Sequence, residues 1–213
     1  MPGSVKQGTV KGPPPPPVQH GWGGDNSSSG GRGASRRVSF LGLILLLISC
    51  TMVFLALVVA FDARRGFTGD WIRISLPFVL WPNTAILIGS SVCLEIARHR
   101  LRHGHRAAFN KWWTIATVMG FLFLAGQALA WKQLNAEGIF VASNPASSFF
   151  YVMTATHALH LIAALTALIY VDVKALHLQL GPAKRTVVDV STIFWHFLDV
   201  IWLCLMALLT LWG

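Results

Sequence analysis

Five long apolar runs, separated by short polar stretches, set the plan of this chain. They extend from Val38 to Phe61, Ile72 to Ala97, Trp112 to Leu134, Ser147 to Val171 and Val187 to Trp212. Each is long enough for the roughly 20 residues that carry an α-helix across a bilayer. Backbone groups in hydrocarbon must pair within their own segment, so such runs predict helices. The predicted fold is therefore all-α, a bundle of five transmembrane helices. The second run contains Pro77 and Pro82. Pro77 lies close enough to the start to be tolerated. Pro82 predicts a kink, or carbonyls freed for a side chain, with Asn83 and Thr84 next in line to bond them.

The stretch before the first run has a different composition. It holds an unbroken Pro13 to Pro17 and then Gly23-Gly24-Asp25-Asn26-Ser27-Ser28-Ser29-Gly30-Gly31. It cannot bury a core, so residues 1–37 are expected to form a disordered, solvated tail with a short polyproline II piece. A ligand for a proline-binding module is the alternative. The tail lacks the apolar segment of a cleaved signal peptide and is read as retained. Residues 38–213 form the membrane domain.

Composition supports the membrane assignment. Charged residues make up 12% of the chain, against about 25% in a soluble domain. The net charge of +9 would suit nucleic acid, but its distribution does not. Of the 17 Lys and Arg residues, Arg64, Arg65, Arg73 and Lys132 fall on one side of the predicted membrane. All the others lie in the tail or in the loops after the second and fourth runs. That bias predicts a cytoplasmic N-terminus and an outer C-terminus, and no nucleic-acid partner. Trp71, Trp112, Trp113, Trp131 and Trp212 stand near run ends, as an interfacial aromatic belt would. Cys50, Cys93 and Cys204 all fall inside apolar runs and read as small buried residues.

A few polar residues then stand out. His157 and His160 occupy one face of the fourth run, and His196 and Asp199 one face of the fifth. A rise of about 1.5 Å per residue places both pairs near mid-membrane. Ionisable groups at that depth normally face a partner inside the protein. The two pairs could meet in the core, with Asp199 accepting a hydrogen bond from an imidazole. Three readings are open: a structural polar cluster, a bis-histidine haem site, or a proton or substrate path. Secondary contacts are expected at Gln127, bonding a neighbouring helix, and at Glu95, paired with Arg98 three residues on. Ser90 and Ser91 would let helices approach closely. His99, His103 and His105 read as headgroup contacts of a basic loop. The residues alone indicate no catalytic set.

Phe194-Trp195-His196-Phe197-Leu198-Asp199-Val200-Ile201-Trp202 resembles the closing motif of subunit III of the haem–copper respiratory oxidases. Thr156-His157-Ala158-Leu159-His160-Leu161 is similar to that family's paired-histidine motif, with Ser147-Ser148-Phe149-Phe150 before it. Asn83-Thr84, Ser90-Ser91 and Gly126-Gln127 resemble its preceding helices. The resemblance covers about residues 38 to 213. It implies an accessory subunit without haem or copper, which reside in partner subunits. Such a subunit packs on the catalytic subunit I, binds phospholipid, and supports proton uptake and endurance during turnover. Five spans correspond to the shorter family form, and both pairs would be structural. Cytochrome c is the implied donor to the holoenzyme. A quinol oxidase or a nitric-oxide-reductase accessory protein are alternatives, and a haem-binding electron-transfer protein is the rival from another class.

The sequence departs from the family at two positions. Cys50 stands where the first helix commonly carries a carboxylate, and Ala130 where an acid often follows the glutamine of the third. The resemblance therefore carries over no role that rests on those acids.

Overall fold

The computed structural model describes residues 27–67, 77–141, 144–176 and 185–212. They form five α-helices: α1 (Ser27–Phe67), α2 (Leu80–Arg102), α3 (Arg106–Ala136), α4 (Pro145–Leu176) and α5 (Arg185–Trp212). All five are long and apolar enough to cross a membrane. Helix α1 begins well before the apolar run at Val38, through Gly30, Gly31 and Gly33. The proline run and the residues up to 26 lie outside the described residues, as do Trp71 and Arg73.

The second helix starts later than its apolar run suggests. Leu80 N–H bonds Pro77 O at 3.1 Å and Asn83 N–H bonds Val79 O at 3.1 Å. Pro82 thus lies in the first turn of α2, where a missing N–H leaves no intrahelical bond unmade. A proline in that position requires no kink. Between α2 and α3 the chain reverses over His103, Gly104 and His105. Gly104 has φ 81°, a left-handed conformation that glycine adopts without cost.

Helix α5 is the centre of the bundle and touches α1, α2 and α4, while α3 closes the far side against α2 and α4. Half of the apolar window of α5 is buried, against 17% for α1, so α1 is the peripheral helix. It docks through Phe54 and Phe61 onto Met153 of α4 and Leu205 of α5. Its other face presents Leu41, Leu45, Met52 and Val59 outward, the apolar surface a bilayer accommodates. Trp113, Trp195, Trp202, Phe109 and Phe123 fill the interior. Close helix approach depends on glycine: a Cβ on Gly120 would stand 2.7 Å from Trp195 and 2.9 Å from Leu165.

Two sequence expectations change here. Trp113 is fully buried and donates to Leu168 O at 3.0 Å, so it is a core residue and not part of an interfacial belt. Two adjacent tryptophans point to different faces of a helix, and Trp113 is the one that falls inward. Cys204 is exposed on α5, whereas Cys50 and Cys93 are buried as expected. It occupies the outward face with Val200 and Leu203.

Candidate functional site

The seam between α2 and α5 carries a continuous row of interhelical polar contacts. The helices run antiparallel, and the contacts step along them roughly a turn at a time. Arg98 Nε donates to Asp189 Oδ1 at 2.7 Å. Glu95 Oε2 lies 3.8 Å from His196 Nε2. His196 Nδ1 stands 3.1 Å from Ser91 Oγ. Ser91 donates its hydroxyl to Asp199 Oδ2. Trp195 Nε1 donates to Ser90 Oγ at 2.9 Å, and Trp202 Nε1 to Thr84 Oγ1 at 3.0 Å. Thr84, Ser91, Glu95 and Arg98 on α2, and Asp189, His196, Asp199 and Trp202 on α5, recur at intervals of three, four or seven, which keeps them on one face, with Ser90 and Trp195 beside them.

The Ser91 hydroxyl carries one hydrogen and directs it at Asp199. The same oxygen can then accept from His196 when Nδ1 carries the ring hydrogen. Asp199 is thus joined to the imidazole through Ser91 and not directly. The three-residue spacing turns both side chains to α2, where a small hydroxyl bridges them. Asp199 is buried, and His196 and Glu95 are more open.

The histidines of α4 have other neighbours. His157 is fully buried. Its ring centroid lies 5.0 Å from that of Trp202, 6.1 Å from Phe123 and 6.2 Å from Phe54. His160 Nδ1 is 2.8 Å from Thr156 O of its own helix, and its ring is 5.3 Å from Phe54. Among the described residues no hydrogen bond joins this pair to His196 and Asp199. The pairs are linked through Trp202, which packs on His157 and lies three residues from Asp199. His157 and His196 are turned to different neighbours.

The remaining expected positions are distributed around this core. Asn83 donates to Phe123 O of α3 at 3.1 Å, so it ties α2 to another helix and does not serve its own first turn. Thr84 does bond locally, to Leu80 O at 2.8 Å. Gln127 is buried, and neither of its amide atoms has a partner among the described residues. Glu95 is exposed and lies 3.5 Å from Arg98, but the shorter contact of Arg98 is with Asp189. Cys50 and Ala130 are both buried among apolar neighbours. No group of three or more His, Cys, Asp or Glu side chains able to hold a metal occurs among the described residues.

Sequence reasoning missed the bridging role of Ser91 and the donor roles of Trp195 and Trp202. The signal was present. Trp195 and Trp202 are seven apart and so share a face, which marks both as candidates for the same neighbouring helix, although their acceptors Ser90 and Thr84 are six apart. It missed Asp189 as the partner of Arg98 because no local spacing relates residues on different helices.

Comparison with known proteins gives a consistent result. The family described as cytochrome c oxidase subunit III matches residues 33–213. The chain is 32% identical over 180 residues to cytochrome c oxidase subunit 3 of Synechocystis, covering 80% of this chain and 74% of that one. It is 31% identical over 176 residues to the protein of the same name from Thermostichus vulcanus, covering 79% and 85%. It is 30% identical over 151 residues to a probable cytochrome c oxidase subunit 3 of Nocardia farcinica, covering 69% and 74%. With five membrane-spanning helices and a polar seam built from the family's closing motif, this chain belongs to the cytochrome c oxidase subunit III family.

Proposed function

We propose that this subunit serves its oxidase as an accessory part and takes no part in the redox chemistry. The observation that carries this reading is the use made of its polar residues. Asp199, Ser91, His196, Arg98, Asp189 and Asn83 are all engaged in holding one helix to another. Side chains committed to packing suit a scaffold better than a reaction centre. The haem and copper of the holoenzyme would then reside in partner subunits, and subunit I is the surface on which this bundle packs. Oxygen reduction to water and proton pumping belong to that assembly. Bound phospholipid, and support of proton uptake during sustained turnover, complete the role. Cytochrome c is the proposed electron donor.

The membrane is a bacterial-type plasma membrane, with the N-terminus inside and the C-terminus outside. The Lys and Arg distribution supports that orientation. A reporter active only outside should be active when fused after Gly213 and silent when fused after His103. The functional test is oxygen consumption by the purified oxidase with and without this subunit. The expected result is a nearly unchanged initial rate per haem and a faster loss of activity over many turnovers. An initial rate that falls by orders of magnitude would place this chain in the reaction path. A haem absorbance at one per chain in the isolated subunit would favour the electron-transfer rival.

A further inference from the structure

Three buried polar side chains, one on each of α2, α3 and α4, have unpaired atoms at one level of the bundle. They are Asn83, Gln127 and His157, all at least 98% buried. Asn83 Oδ1, both amide atoms of Gln127 and both ring nitrogens of His157 lack a hydrogen-bond partner among the described residues. The common level follows from contacts around them. Asn83 donates to Phe123 O, the carbonyl one turn before Gln127. Trp131 Nε1, one turn beyond Gln127, donates to Thr154 Oγ1, three residues before His157. In antiparallel helices that register sets Gln127 opposite His157. The Phe123 ring packs against His157, and both pack against Trp202.

We infer that Asn83, Gln127 and His157 form an internal water-binding site that joins α2, α3 and α4. Polar groups at hydrocarbon depth are costly to leave unpaired, and these atoms are buried from solvent. One direct bond between Gln127 and His157 would satisfy only two of the five atoms. A water both donates and accepts, so it can join the Asn83 and Gln127 carbonyl oxygens to the imidazole. Gly126 makes room for the Asn83 amide on the α2 side. A Cβ there would stand 2.3 Å from Asn83 Oδ1, so any side chain would push the amide away. The aromatic rings of Phe54, Phe123 and Trp202 close the site around the imidazole.

The test is a cryo-EM map of the intact oxidase at a resolution where buried water is visible elsewhere in its helices. The expected result is at least one ordered water within about 3.2 Å of polar atoms from two or more of the three side chains. A site without such density, its side chains paired directly or left apart, would overturn the proposal. A second measurement uses the same assembly carrying Gln127→Met or His157→Phe, singly and together. With shared water, each single variant strands the polar groups left behind, so the double variant should lose this subunit in detergent no faster than the worse single one. Losses that simply multiply would show that the side chains do not share a ligand.

Discussion

His157 and His160 stand three residues apart on α4, as His196 and Asp199 do on α5, and the two pairs meet different surroundings. The α5 pair faces a polar stripe of α2 and is drawn into a chain through Ser91. In the α4 pair, His157 is enclosed by the rings of Phe54, Phe123 and Trp202, and His160 bonds its own backbone. Equal spacing fixes a shared face, but the facing helix decides what that face does. On α5 the pair fastens two helices. On α4 one histidine fills the centre and the other stands at the edge of a groove of about 290 Å³ between α1, α4 and α5.

Trp202 belongs to both environments, and its loss should have the largest effect. It is fully buried, packs on His157 and Phe123, and donates to Thr84. Trp202→Ala would leave a large cavity and remove the donor to the Thr84 oxygen, although the Thr84 hydroxyl keeps its own bond to Leu80 O. A destabilisation of about 3–5 kcal/mol is expected, enough to prevent assembly. Recovery of this subunit in purified oxidase is the measurement. Normal recovery would mean that the two pairs are held independently of the residue between them.

Asp199→Ala comes next. It leaves the Ser91 hydroxyl without its acceptor in a seam that is partly closed to water, while the Ser91 oxygen still faces His196. Removing one partner of a buried hydrogen bond costs about 1–3 kcal/mol. The subunit should assemble but dissociate from the oxidase at lower detergent concentration. Asp199→Asn keeps an acceptor and should recover most of the loss. If both variants behave alike, the Ser91 bridge does not hold the seam.

These contacts also show how far the sequence could be read. The helices were legible because a bilayer sets their length and apolar character, and α2 to α5 overlap the runs that predict them. The start of α2 was not, because apolar residues before Pro77 look the same inside a helix or ahead of one. Pro82 consequently reads as a kink in the sequence and stands in a first turn in the structure. Of the site, the faces were legible: His196 with Asp199, and Asn83 as a donor in need of a carbonyl. The partners were not. That Asn83 takes Phe123 O, or Arg98 takes Asp189, depends on a register between helices that no local period encodes.

His196→Ala should have a smaller effect than Asp199→Ala. It removes one bond to Ser91 but leaves Ser91 still donating to Asp199. Intramembrane hydrogen bonds average about 0.6 kcal/mol in double-mutant cycles. The initial turnover rate should be close to normal, with a modestly faster decline over many turnovers. A rate that collapses while the subunit stays bound would give His196 a part in the reaction.

His160→Ala should have the smallest effect, and it is the sharpest test of the comparison. His160 occupies the same helix face as His157, yet its Nδ1 lies 2.8 Å from Thr156 O, a group of its own helix. Removing it strands no partner on another helix, because the Thr156 carbonyl already takes part in the α4 ladder. What is lost is the tilted ring contact with Phe54, at 5.3 Å between ring centroids. Partly exposed positions of this kind usually change stability by no more than about 0.5 kcal/mol. Subunit retention in detergent should therefore match the unmodified oxidase, whereas His157→Ala in the same helix should reduce it clearly. Equal losses from the two variants would mean that α4 uses its histidines as a pair, and the contrast drawn from their neighbours would not hold. A loss confined to His157 would show that burial among the rings, and not the paired-histidine motif itself, sets the importance of each residue.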